Sequence, residues 1–190
     1  MGGDRTRESR ERDAALISRI WAHDRDAFDD LYRAYRTRLG RFLFRLVRRP
    51  ELVEEIIDDT LMVVWDRASS FNGESRLSTW IFAIAYRKAM KAVRRHDEPV
   101  EDALAGERMS LDPTPEDEAE RVATRSVLIQ AIHELSPEHR AVVELTYFHE
   151  MGYREIAEIM ACPVDTVKTR MFHARRHLKR RLAGRLADWL

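Results

Sequence analysis

Within nine residues the chain places Lys168, Thr169, Arg170, Phe172, His173 and Arg176, a set of side chains whose chemistry matches the edges and backbone of DNA. Lysine and arginine neutralise phosphates or bond guanine, threonine and histidine add hydrogen bonds, and an exposed phenylalanine can contact a thymine methyl. Val167, Met171, Ala174 and Leu178 recur at i, i+4, i+7 and i+11 and predict a buried helical stripe, which turns Lys168, Thr169, Phe172, His173 and Arg176 outward. Pro163 suits the first position of that helix, and Asp165 then falls in the first turn, where the helix dipole favours a negative charge. With the short amphipathic stretch before it, Tyr153 to Leu178 reads as a helix-turn-helix. From Asp165 to Arg185 eight Lys/Arg stand against one acid, a net of +7 in a chain that balances 33 bases against 33 acids. A basic amphipathic helix can also be no more than a solvated face, so the rest of the chain has to decide.

A second basic surface lies upstream. The polar loop from Ser69 to Trp80 carries Phe71, Asn72, Gly73 and Arg76, and Ser78 is expected to cap the helix that starts near Trp80. In that helix Ile81, Ile84, Ala85, Ala89 and Ala92 predict an inward face, while Arg87, Lys91, Arg94 and Arg95 line the other side with Lys88 flanking. A cationic helix beside a loop with an aromatic ring suits a phosphate backbone and stacked, unpaired bases. A third surface is acidic. The helix opening at Pro50 buries Leu52, Val53, Ile56, Ile57, Leu61 and Val64, and leaves Glu51, Glu54, Glu55, Asp58 and Asp59 on a face that runs to an exposed-looking Trp65. Such a face is either solvated surface or a dock for a basic partner.

The elements that must hold these residues are helical. Phe28, Leu31, Tyr35, Leu39, Phe42, Leu43 and Leu46 recur at three and four residues, and only seven Gly and six Pro interrupt the chain. The expected architecture is all-α, with two small helical domains over 13–96 and 121–185. An acidic linker over 97–120 joins them, flanked by a disordered stretch 1–12 and a tail 186–190. The linker holds ten acids against Arg108 alone, with Pro99, Pro113 and Pro115 and almost no large apolar residue, so it cannot bury enough surface to fold by itself. Cys162 is the single cysteine, which excludes an internal disulfide framework. No apolar run is long enough to cross a bilayer, and the charged N-terminus lacks the apolar core of a signal peptide, so a cytoplasmic protein is expected.

Catalytic readings find little support. His173 and His177 have the i, i+4 spacing of a metal pair, but the residues between them lack the Glu of a metalloprotease helix and the surrounding charge repels cations. No metal, no cofactor and no enzymatic activity are expected. A stand-alone duplex-binding regulator would use the C-terminal motif, but has no need of the acidic helix or of the loop with its basic helix.

Taken in order, these segments resemble a bacterial extracytoplasmic-function sigma factor. ELVEEIIDDTLMVVWDRASSFNGESRLSTWIFAIAYRKAMKAVRR is similar to the family's promoter-melting region two, and LSPEHRAVVELTYFHEMGYREIAEIMACPVDTVKTRMFHARRHL to its region four. The resemblance implies core RNA polymerase, promoter DNA and an anti-sigma factor as partners of a protein that is monomeric when free. It assigns polymerase binding to Glu55, Asp58, Asp59, Met62 and Trp65. The minus-ten element would be handled by Phe71, Asn72, Gly73 and Arg76 with Arg87, Lys88, Lys91, Arg94 and Arg95. The minus-thirty-five element would be read by Lys168, Thr169, Arg170, Phe172, His173 and Arg176, and the linker would thread through the polymerase. Arg87 stands where many members carry Asn, and His173 where an Arg is frequent, so no guanine contact is expected from His173.

Overall fold

The computed structural model describes residues 2–95 and 127–182, and among them every regular element is helical. The linker 97–120 and the tail 186–190 lie outside the described residues. Four helices make the N-terminal half: α1 (Gly2–Trp21), α2 (Arg25–Val47), α3 (Pro50–Asp66) and α4 (Leu77–Arg95), with a 3₁₀ turn over Ala68–Ser70. The C-terminal half holds α5 (described over 127–133), α6 (Pro137–Tyr147), α7 (Tyr153–Met160) and α8 (Val164–Leu182).

Helix boundaries follow local chemistry. Asp24 caps α2 by accepting from the Ala27 N–H at 3.1 Å, and Arg19 Nη2 ties back to the same carboxylate at 2.8 Å. The helix α2 stops at Arg48, which adopts the left-handed conformation, and Pro50 opens α3 at its first turn as its fixed φ favours. Ser136 caps α6 ahead of Pro137.

Two expectations are corrected. The stretch 1–12, expected to be disordered, is helical from Gly2 onward, because its Arg and Glu residues are good helix formers and run unbroken into a segment anchored by buried Ile17 and Ile20. Ser78 does not cap α4, which begins one residue earlier, at Leu77. The Leu77 N–H instead reaches the Asp13 carboxylate of α1 at 3.3 Å. The orphan donor at the start of α4 thus finds an acceptor 64 residues away, which no local pattern announces.

The N-terminal core forms where the predicted stripe of α2 meets α3 and α4. Leu31, Leu39, Phe42, Leu43, Ile57, Leu61 and Ile81 are essentially inaccessible to water. Of the predicted stripes, Phe28, Leu52 and Ala92 remain half-buried. On α4, however, burial extends well past the predicted inward face: Phe82, Ala83, Tyr86 and Met90 are buried much as Ile81 and Ala85 are. Phe82 packs against Phe42 of α2 and against His149, α7 packs along α4, and α6 packs against α2. The two halves therefore share one continuous core.

A polar cluster fastens them. The Arg140 guanidinium of α6, 3% exposed, donates to five carbonyl oxygens: Ile132, His133 and Leu135 at the end of α5, and Arg45 and Leu46 near the end of α2. The last carbonyls of a helix have no partner within it, and here one side chain serves two helix ends at once. Burial pulls the Arg140 pKa down to about 10, so it remains charged at neutral pH. Close by, Glu144 accepts from Arg45, and His149 lies edge-on to Phe82 and Phe42 with ring centroids at 4.8 and 5.9 Å. Its Nε2 is buried without a partner.

Candidate nucleic-acid interface

The recognition helix α8 presents the predicted face. Val167, Met171, Ala174 and Leu178 are buried, as their period requires, with Leu182 continuing the stripe. Lys168, Thr169, Phe172, His173 and Arg176 are exposed, and Phe172 keeps 62% of its surface in water. An apolar ring held that far out costs solvation, so the side chain is available for an apolar contact. Thr169 Oγ1 donates to the Asp165 carbonyl and Lys168 pairs with the Asp165 carboxylate, both at 2.9 Å. His173 faces Phe172 and His139 edge-on, at 5.5 and 6.2 Å. Burial, then the charges of His173 and Arg170, lowers the His139 pKa and favours its neutral form. Arg170 departs from this face: it is half-buried, turns toward α4 and touches Cys162 Sγ at 3.6 Å.

The tight turn ahead of α8 is built by backbone hydrogen bonds. Ala161 takes a left-handed conformation at φ 50°, and the Cys162 N–H returns to the Ala157 carbonyl at 3.0 Å. Gly152 caps α7 without a side chain, and Glu155 compensates by accepting from the Gly152 N–H at 3.0 Å.

The loop before α4 has a defined shape. Asn72 Oδ1 accepts from the Glu74 N–H at 3.1 Å, an Asx turn that places Gly73 at φ 73°. A Cβ on Gly73 would meet no atom within 4 Å, so the glycine serves the backbone angle, not space. Asn72 and Gly73 are exposed, while Phe71 is half-buried against Trp80 at 5.4 Å. Along α4, Arg87, Lys91, Arg94 and Arg95 are exposed as expected. Lys88 is not part of that row, since it pairs with Asp59 of α3 at 2.7 Å. Arg76 is engaged by Glu155 of α7 at 3.5 Å, so the second half of the chain contacts the loop region directly.

On α3, Glu55, Asp58, Asp59 and Met62 are exposed, with Asp58 accepting from the Tyr32 hydroxyl at 3.1 Å. Trp65 is not the exposed ring its position suggested. It packs against Phe28 and His23, at 5.0 and 5.4 Å, because the turn between α1 and α2 folds over the end of α3. No local pattern marks Arg45, Arg140, Glu144 or His149 as residues of the joint. An Arg and a Glu one helical turn apart on the apolar side of α6 are the only available signal.

No described group of three or more His, Cys, Asp or Glu residues is arranged to hold a metal ion, and no described helix is long and apolar enough to cross a membrane.

Comparison with known proteins fits this arrangement of surfaces. Residues 31–98 match the Sigma-70 region 2 family and residues 125–178 match Sigma-70, region 4. The RNA polymerase sigma factor YlaC of Bacillus subtilis is 31% identical over 162 residues, covering 83% of this chain and 93% of that protein. The ECF RNA polymerase sigma-E factor of Haemophilus influenzae is 29% identical over 180 residues, covering 90% and 95%. In three dimensions the chain resembles the sigma factor RpoE of Bartonella quintana, solved with the anti-sigma factor NepR, at a TM-score of 0.61 and 23% identity over 83% of this chain and 98% of that one. With both sigma regions present in order and a curated sigma factor matched over most of both lengths, the chain belongs to the sigma-70 family, as a member of its extracytoplasmic-function group.

Proposed function

We propose that the protein is a non-enzymatic, cytoplasmic initiation factor that brings core RNA polymerase to specific promoters, with region two over 13–96 and region four over 121–185. The observation that carries this is the presence, in one chain, of an exposed acidic helix and two separate cationic surfaces on the segments that match regions 2 and 4. In this reading Glu55, Asp58, Asp59 and Met62 dock on polymerase, and Trp65 supports that face from within. The loop at Phe71, Asn72, Gly73 and Arg76 takes an unstacked base while Arg87, Lys91, Arg94 and Arg95 hold the adjacent backbone. Unstacking costs a few kcal/mol per base, which stacking and phosphate contacts can offset without any bond chemistry. Lys168, Thr169, Phe172, His173 and Arg176 enter the major groove at minus thirty-five. Arg170 and Lys88 are not needed for these contacts.

The packed arrangement cannot do both jobs at once. Two elements about 25 base pairs apart are separated by about 85 Å of duplex at 3.4 Å per base pair, whereas α4 and α7 lie against each other. The 31 residues from 96 to 126 can extend to about 100 Å, which is enough to bridge the elements once the halves separate. The closed form is thus a resting state of a monomer, and polymerase binding selects the open one. A relative solved with an anti-sigma factor supports control of this protein by a partner of the same kind. That control predicts that protein isolated from uninduced cells stays inactive with core polymerase until a bound inhibitor is removed; full activity on isolation would remove this part of the reading.

Transcription from fragmented genomic DNA by core polymerase, with and without the protein, tests the function. Start sites that appear only with the protein and share two spaced upstream elements are expected. DNA binding without any new start sites would overturn the proposal in favour of a stand-alone regulator.

A further inference from the structure

A cleft of about 440 Å³ runs along the seam between the two halves, so it exists only while they are packed together. Five cations converge on it: Arg87, Lys91, Arg94 and Arg95 from α4, and Arg170 from α8. Glu138 is the one carboxylate in its wall. Three other cations at this seam and on α4 are matched: Arg45 with Glu144, Arg76 with Glu155 and Lys88 with Asp59. Among the described residues, the five in the cleft form no such pair, and Arg170 has only the Cys162 sulfur at 3.6 Å. Like charges brought together in a concave wall repel one another and focus a positive field into the cleft. Four of the five are guanidiniums, whose forked donors fit phosphate oxygens two at a time. The remaining wall, formed by Tyr86, Met90 and Met160, is apolar, each residue being nearly buried. The volume lies within the range of small-molecule sites, which favour seams between domains.

We propose that this seam cleft binds a small polyphosphorylated ligand, which neutralises cations from both halves and so holds the protein closed. Region-two and region-four segments contribute to a single site, and a ligand that binds only the closed form shifts the equilibrium toward it. Arg170 thereby has a role that its departure from the groove-reading face otherwise leaves open. One consequence rests on the proposed function: the four α4 cations cannot hold promoter backbone and ligand together, so the ligand opposes initiation.

The test uses the full chain and titrates inorganic tripolyphosphate, ATP and GTP by calorimetry at about 0.15 M salt, where diffuse attraction is screened. Saturable binding of one ligand per chain is expected, together with a higher melting temperature of the closed form. Tighter binding of ATP or GTP than of tripolyphosphate assigns the site to nucleotides through the Tyr86, Met90 and Met160 wall, and equal binding assigns it to inorganic chains. Arg170→Ala, at a half-exposed position outside the core, should weaken binding roughly tenfold, the loss expected for a charge-assisted hydrogen bond or two. Arg94→Ala should do the same from the other half. Absence of saturable binding, or binding that Arg170→Ala leaves unchanged, would overturn the proposal, the latter by showing that α4 alone attracts phosphate. These readouts do not involve polymerase, so they can fail while the sigma function stands, and the converse.

Discussion

Glu144 and Arg45, 99 residues apart, meet at the seam of the molecule: the Glu144 carboxylate, 1% exposed, accepts from Arg45 Nη1 at 2.9 and 3.2 Å. Arg45 in turn lies over the Phe148 ring at 4.0 Å, while its backbone carbonyl accepts from Arg140. One residue of α2 therefore contacts the α6 region through its charge, its guanidinium face and its backbone. Replacing Arg140 with Met would take the guanidinium donors away from five carbonyls, although Ile132 keeps its bond from the Leu135 N–H. Unsatisfied buried groups cost more than the bonds themselves contribute, so Arg140→Met should lose about 3 kcal/mol or more of stability in urea. Glu144→Gln should lose only about 1 kcal/mol, because Arg45 is one third exposed and can be hydrated. Both should enlarge the radius of gyration. An Arg140→Met protein as stable and compact as its parent would show that the cluster does not fasten the halves.

His149 makes the seam sensitive to acid. Burial, reinforced by Arg38, Arg45 and Arg41, depresses its pKa to about 4, so the closed form holds it neutral. Its contribution is complete above the ordinary histidine value of 6.5 and is lost as pH falls toward 4, up to about 3 kcal/mol. Glu144 acts in the other direction. Burial outweighs Arg45 and Arg140 and lifts its pKa to about 7, so the closed form loses stability as pH rises from about 4.5 to 7. The two nearly cancel between pH 4.5 and 6.5. Glu144→Gln should uncover the histidine limb as a steady loss of stability below pH 6.5, and His149→Phe should uncover the carboxylate limb. Flat profiles in both variants, followed by thermal melting across this range, would contradict the assignment.

Gly73 separates backbone strain from packing. With φ at 73° and open space where a Cβ would stand, Gly73→Ala should cost about 1 kcal/mol locally with little change in the global melting temperature. Promoter opening, monitored by the reactivity of unpaired thymines, should fall. Asn tolerates the left-handed region better, so Gly73→Asn should retain more activity. Equal activity in all three proteins would mean that the loop shape is unimportant.

Arg94 and Arg95 end α4 in solvent, and neither forms an ion pair with a described residue. Reversing both to Glu should abolish promoter opening while leaving the affinity for core polymerase intact, since the acidic face of α3 is built from other side chains. Neutralising them to Gln should reduce the salt dependence of single-strand binding by about 1.4 in log–log slope, at about 0.7 per phosphate contact. Loss of polymerase binding in the reversed protein would mean that the two faces have been exchanged.

The legible parts of this protein are those governed by neighbours in sequence. The stripe Val167, Met171, Ala174 and Leu178 is buried as its period demands, Pro50 opens its helix, and the outward side chains of α8 follow by exclusion. Order and spacing of the acidic, loop, basic and helix-turn-helix segments suffice for the family. Periodicity describes one face of a helix against one core, so it could not foresee that α7 would pack along α4 or that Phe82, Ala83, Tyr86 and Met90 would be buried beside the predicted face. Nor could it place Arg170 in the seam, Trp65 against His23 and Phe28, or Asp13 at the start of α4. Those outcomes depend on which helix ends and faces remain unsatisfied after each half has folded. The five carbonyls gathered by Arg140 come from the ends of two helices in opposite halves of the chain, and only the docked tertiary structure brings them to one guanidinium.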